Sequence, residues 1–450
     1  MKRFLMHTVQ TLFVVAALMT LQSVKTVAQT TSGDTRTNTG SVYSSIGFGM
    51  PEDNLSPGSA SMGLAGVSTF DPYSANTTNP ALWGHNPGTR PFGRGLLRVG
   101  YETVDASGSS EVATFSQITV DQFRIVLPIL HDQIGFSLGF QPLTRAGYQV
   151  MNVGVLEPEP GTNVEPVNYF TEVFGRGGVN RVEAGAGFRL TSNISVGYAG
   201  SLLFSSIKRD TQHFFDDSGL GSLAYREEMN GFRMNHRFGA NVRHRGILRE
   251  QDLVSLGATF RLPVRIDMDR SLESVRILQD FPRTIEHISG SAGNGSIHIP
   301  AELNLGLTYE PVSTVVLAAE WLGQQWSDAG FSYSPQHESW FTDRNRIAAG
   351  GQYHPYRQEG ATPGFFNNMK YGVGVSYDTG HLEIDGNRIE TLMFHTGFGI
   401  LSPRSVSSIG LSFQFGIRGI ESQNLVRETI WGVKLSLNLT EEMFRRQLFQ

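Results

Sequence analysis

The sequence predicts an all-β fold, a transmembrane antiparallel β-barrel, on three observations. The chain opens with an export signal. From about residue 95 to residue 439 apolar side chains alternate with small or polar ones at period two. The non-apolar face of that alternation is Gly, Ser, Asn and Gln with scattered Arg and Glu, where a soluble sheet would be rich in Lys and Glu.

The export signal comes first. Lys2 and Arg3 give a positive start, Thr11 to Leu21 a short apolar stretch, and Ala28-Gln29 a small-residue cleavage region. Residues 1–29 are therefore expected to be a signal peptide removed on export. The apolar run is too short for a helical anchor, which takes roughly 20 residues, and no later run approaches that length. The chain has 0 Cys, which excludes a disulfide framework, a thiol nucleophile and a thiolate metal site. Only 17% of residues are charged, so the surface need not be charged everywhere. A net charge of -5 spread along the chain offers no basic face and argues against a nucleic-acid partner.

The wall follows. Trp431, Val433, Leu435, Leu437 and Leu439 alternate with Gly432, Lys434, Ser436 and Asn438. Ile409, Leu411, Phe413, Phe415 and Ile417 alternate with Gly410, Ser412, Gln414 and Gly416, so the odd-numbered residues of both stretches are expected to face lipid. The pattern recurs over 182–190, 303–309 and 369–377. With turn clusters such as Thr191-Ser192-Asn193 and Asp385-Gly386-Asn387, it gives about twelve to sixteen strands. Longer stretches at about 151–167, 211–221, 268–297, 324–343 and 355–367 are expected to be surface loops on one rim, with tight turns on the other. Residues 30–94 alternate little and are expected to lie outside the wall, which takes residues 95–450.

Those N-terminal residues carry Met62-Gly63-Leu64-Ala65-Gly66-Val67-Ser68 and Asn79-Pro80-Ala81-Leu82-Trp83. A Met-Gly run followed by Asn-Pro-Ala, between a signal peptide and the first strand, resembles the FadL/TodX family of hydrophobic-compound transporters. Gly139-Phe140-Gln141-Pro142, Gly147-Tyr148, Arg176-Gly177-Gly178-Val179-Asn180, Trp321, Trp326-Ser327 and Met443-Phe444-Arg445-Arg446 are similar to its Bacteroidetes-type branch. The chain departs from better-known members by ending with Gln450 after Phe449, which displaces the usual terminal aromatic assembly signal.

The resemblance implies about fourteen strands and a hatch, residues 30–94, inside the lumen. Gly63, Gly66, Asn79, Pro80 and Ala81 are the expected hatch residues, the last three close to the inner wall. It implies passive uptake of small hydrophobic molecules, of the long-chain fatty acid or hydrocarbon class, by a monomer in the cell outer membrane. The implied partners are outer-membrane lipid, the apolar ligand and the barrel assembly machinery. A PorV-like barrel, associated with the type IX secretion system, is a more distant relative. It implies the alternative, a secretion-associated or structural barrel with no transported substrate.

An exit route is expected at Pro142. Ile134, Phe136, Leu138 and Phe140 set an alternation that Pro142 interrupts, and a proline inside a ladder forces a bulge, a bend or lost pairing. The resemblance implies a lateral opening in the third strand, at Gly139, Pro142, Gly147 and Tyr148. The alternative is a strand that ends at Gln141 in a loop.

No enzyme, cofactor or metal site is expected. Gly135-Phe136-Ser137-Leu138-Gly139 matches the G-x-S-x-G pattern, but strict alternation continues through it and no helix follows, so Ser137 is expected to be a lumen-facing strand serine. The 12 His, including His236 and His244, show no His-Glu-x-x-His pair. Asp216-Asp217 lacks EF-hand spacing, and Gly372-Val373-Gly374 lacks the third glycine of a dinucleotide site.

Overall fold

The computed structural model describes residues 40–86, 91–107, 112–156, 166–215, 222–278, 281–288, 295–357, 364–402, 407–421 and 425–443. Residues 1–29, expected to be a signal peptide, Asp216-Asp217 and the terminal Phe444 to Gln450 lie outside the described residues.

The predicted all-β class holds: the sheet closes as a 14-strand antiparallel barrel. β1 is Phe92–Ser107, β2 Val112–Leu130, and β3 is built from two pieces, Ile134–Pro142 and Tyr148–Leu156. β4 is Val167–Arg189, β5 Ile194–Phe215 and β6 Ser222–Arg245. β7 joins Leu253–Arg261 to Val264–Leu278, and β8 runs through Phe281–Ile288, Gly295–Ile299 and Glu302–Val312. β9 is Val315–Gln324, β10 Arg344–Tyr353, β11 Met369–Asp378, β12 Thr391–Leu401, β13 Ser408–Arg418 and β14 Arg427–Glu442. β14 pairs back onto β1 from Phe92↔Glu442 to Ser107↔Arg427, which removes every sheet edge there. The wall starts at Phe92, slightly before the expected residue 95.

The alternation decides what faces out. Ile409, Phe413, Phe415, Trp431, Leu435 and Leu439 are exposed, while Ser408, Ser436, Asn438 and Thr440 are buried. A barrel that exposes its apolar set and buries its polar set has lipid outside. No helix among the described residues is long and apolar enough to cross a membrane.

The strands are unequal. β4, β5 and β6 run 23, 22 and 24 residues, while β9, β10 and β11 have 10 each. A membrane crossing takes about 9–11 residues, so the long strands continue past the lipid band. Much of the sequence expected as loop at 151–167, 211–221 and 268–297 is therefore strand. Above the lipid both faces meet water, and the apolar alternation fades although the ladder continues. The 324–343 connection is also not a plain surface loop, because Trp326, Phe331 and Phe341 are buried. The 355–367 stretch joins β10 to β11 and lies on the rim of the tight turns, opposite the other long connections. Asp385 and Gly386 make a small hairpin turn with φ 51° and 76°, as that turn cluster suggests.

Candidate functional site

Residues 40–86 form short 3-10 turns and no long strand. At Pro80–Gly84 the turn begins as the residue types dictate: Pro80 presets φ, and the Asn79 carboxamide oxygen accepts the Ala81 amide at 3.0 Å. Ala60–Met62 ends at Gly63, with φ 71°, a left-handed cap that favours glycine. Gly66 likewise has φ 82°.

The hydrogen bonds of this segment run to inward-facing groups on strands around the lumen. Glu320 of β9 accepts the amides of Ala65, Gly66 and Val67 at 2.6, 2.9 and 2.6 Å. Arg346 of β10 donates to the Gly63 carbonyl at 2.8 Å, and Asn79 Nδ2 donates to the Ala240 carbonyl of β6 at 3.0 Å. Lys370 of β11 pairs with Asp71. Strand glycines allow the close approach: a Cβ at Gly374 would press into the Met62 backbone, and one at Gly197 into Pro80. Gly372-Val373-Gly374 is thus a smooth inner face shaped to Ser61 and Met62.

Three layers fill the lumen. Near the turn rim Pro80–Gly84 packs, with Ala81 fully buried. Across the middle runs a charged belt. Glu183 of β4 accepts from Arg124 of β2 at 2.8 Å and Arg237 of β6 at 2.5 Å, with all three side chains buried. Arg344 and Arg346 hold Asp53 at 2.7 and 3.0 Å. Burial raises the Asp53 carboxyl, but these two arginines outweigh it and hold it below the usual carboxylate range. Asp71 is also buried, and Lys370 holds it low. Burial raises Glu52 despite its pair with Arg145 at 3.1 Å. Toward the loop rim the filling is apolar. Phe48 stacks on Trp326 at 5.3 Å and meets Phe331 and Phe341, each at 6.3 Å. Tyr43, Ile46, Leu382, Ile389 and Leu425 belong to that cluster, together with inward-facing wall residues such as Leu203, Met229 and Ile266.

The third strand is in two pieces, with the first ending at Pro142 and the second starting at Tyr148. Pro142 ends its first piece, paired with Asn180, well inside the β3–β4 ladder. Thr144–Arg145 then pairs with Met50–Pro51 of the N-terminal segment. Opposite, Gly177 and Gly178 of β4 take φ 107° and 134° to follow the bend. Gly147 gives its amide to Ser44 Oγ at 3.1 Å and accepts from the same hydroxyl at 2.8 Å. Tyr148 restarts the strand opposite Gly175, with its hydroxyl accepting from Arg209 at 3.0 Å. Gly139 lies in the regular ladder between Arg124 and Glu183.

The first piece of β3 pairs with β2 only over Phe123–Leu130, and the second pairs only with β4. Among the described residues, β2 above Phe123 and Tyr148–Leu156 therefore face each other without a ladder. Behind that interruption lies a cavity of about 100 Å³, lined by Glu102, Gln117, Arg145, Gly147, Lys434 and others. Its lining is about half polar, with charged groups beside Met50, Leu55 and Met393, not the predominantly apolar surface that an apolar ligand favours.

Ser137 is fully buried and accepts from Arg124 at 3.0 Å. His236 bonds Tyr198 at 2.8 Å, and His244 lines a separate polar cavity. Among the described residues no group of three or more His, Asp or Glu is placed to hold a metal ion. Sequence reasoning missed the charged belt and the Phe48 cluster. The available signal was charge on the inward face of single strands, Glu183, Arg237 and Arg346, which alternation alone cannot pair.

A family model described as BamG matches residues 9–450. The chain belongs to the BamG family. Its fold is of the FadL type, shared at low identity with solved outer-membrane channels. A Pseudomonas aeruginosa FadL homologue superposes with TM-score 0.56 at 13% identity, covering 88% of this chain and 99% of that one. The Pseudomonas putida toluene transporter TodX gives 0.53 at 15% identity, covering 89% and 100%. The CymD monoaromatic hydrocarbon channel gives 0.50 at 15%, covering 87% and 98%. No curated protein matches. At such identities the likeness establishes for this BamG-family chain the barrel itself.

Proposed function

We propose that the protein is an outer-membrane channel for small hydrophobic molecules, with residues 40–86 as its hatch and the break in β3 as a lateral exit into the membrane. The observation that carries this reading is the unpaired stretch between β2 and Tyr148–Leu156, flanked on the outside by exposed Ile118, Val120, Met151 and Val153. An apolar solute leaving at the lower end of that stretch, beside Ile118 and Val120 where the first piece of β3 ends, reaches the upper edge of the lipid band. The ligand would be a long-chain fatty acid or a hydrocarbon, as the resemblance to the FadL/TodX family suggests; among the solved relatives TodX is a toluene transporter and CymD a monoaromatic hydrocarbon channel.

A second reading, a secretion-associated or structural barrel with no substrate, is favoured by one specific observation. The apolar space that a ligand would need is already filled by Tyr43, Ile46 and Phe48. Uptake of labelled oleate and labelled toluene by cells with and without the gene separates the two. Faster uptake that Pro142→Val slows, with folding retained, supports the channel. Equal uptake in both strains, persisting in Phe48→Ala cells, removes the channel and leaves the structural reading.

A further inference from the structure

The charged belt does not balance. Arg124, Arg181, Arg237 and Arg261 point inward from β2, β4, β6 and β7, and the carboxylates acting on them are Glu183 and Glu302. Glu183 holds Arg124 and Arg237, and Glu302 holds Arg261 at 3.1 Å. Arg181, 3% exposed, forms no ion pair among the described residues, and its Nε has no hydrogen-bond partner. Gln141 of β3, 1% exposed, leaves both carboxamide atoms unpartnered, and Arg261 leaves Nε and Nη1 so.

These groups meet. Gln141, Arg181, Arg237 and Arg261 line one cavity of about 50 Å³. The carboxylates that also line it are already engaged: Glu52 by Arg145, Asp53 by Arg344 and Arg346, and Glu302 by Arg261. A buried guanidinium with no ion pair of its own is costly even with Glu183 and Glu302 nearby, and unpartnered buried donors add to the cost. An anion relieves both at once.

We infer that this cavity binds one small oxyanion, held by the guanidinium groups of Arg181, Arg237 and Arg261 with the Gln141 carboxamide donating to it. The planar fork of arginine suits a carboxylate or phosphate, which accept two parallel hydrogen bonds. The volume admits a few water-sized groups and not an alkyl chain. The ligand is therefore a free anion such as inorganic phosphate or acetate, and not the head of a long amphiphile. The inference does not depend on the transport reading.

The test is equilibrium dialysis of the full-length protein in detergent against radiolabelled inorganic phosphate, with unlabelled acetate or octanoate as competitor. The expected result is one saturable phosphate site per chain, displaced by acetate. Loss of bidentate recognition should weaken it about tenfold or more in Arg181→Met. Arg265→Met, on the exposed outer face, should leave it unchanged. Heat-modifiable migration checks that each variant is folded, and Gln141→Leu, which keeps the arginines, serves as reporter if Arg181→Met does not fold. Absence of saturable binding overturns the site. So does binding unchanged in the folded variants, and displacement by octanoate but not acetate overturns the free-anion assignment.

Discussion

The middle of the lumen and its loop-rim end hold the same N-terminal segment by opposite means. In the middle, buried arginines, carboxylates and backbone amides meet at 2.5–3.1 Å, and strand glycines fit the chain where it passes. At the loop rim Phe48 sits among Trp326, Phe331 and Phe341 with no charge involved. Paired buried charges are directional and costly to separate, so the belt fixes position. Apolar packing is non-directional and tolerates a shift, so Phe48 can move without leaving a bare charge, whereas Ser41 and Val42 before it are tied to the buried Glu428 carboxylate that Arg418 pairs.

Four perturbations separate the two regions. The largest effect is expected in the belt. Glu183→Ala leaves Arg124 and Arg237 buried without their shared acceptor and should cost roughly 3–5 kcal/mol, read as a lower melting temperature of the barrel in detergent. A loss under about 1 kcal/mol would mean that the belt does not hold the lumen together. Phe48→Ala comes next, at about 3 kcal/mol, the low end for aromatic truncation because the segment end can relax. Protease protection of residues 40–51 should report it, while the barrel keeps its melting temperature.

Acid provides the third. Asp53 and Asp71 are held low in the folded state, so their contribution is present above their unfolded value near 4 and is lost as pH falls below it. Glu52, raised by burial, works the other way. Protection of residues 52–71 should therefore fall below about pH 4, while the Phe48 cluster, read by tryptophan fluorescence of Trp326, responds less directly. Equal loss in both regions would erase the distinction. The smallest effect belongs to Lys208→Ala, whose 3.1 Å pair with Glu228 is about 40% exposed on each side. It should change stability by about 0–1 kcal/mol.

The barrel was legible because lipid outside and polar groups inside impose period two, as at Ile409 to Ile417 and Trp431 to Leu439. The break at Pro142 was legible because proline lacks the donor that the ladder needs. The heights of β4 to β7 were not, since strand above the lipid loses the apolar signal. The belt was also hidden: Glu183, Arg124 and Arg237 stand on three different strands, and their meeting depends on register and closure. Phe48 lay in a stretch without periodicity, so only the fold shows it beside Trp326.

The unequal strands cut the loop rim at a slant. Ser222–Arg245 spans 24 residues, about 80 Å along the strand at roughly 3.3 Å per residue. Arg344–Tyr353 spans 10, about 33 Å by the same measure. A body drifting along the membrane surface toward β10 meets a low sill, whereas one approaching from β6 meets a tall screen. The mouth of the barrel is therefore sided, with its strand wall long at β6 and short at β10.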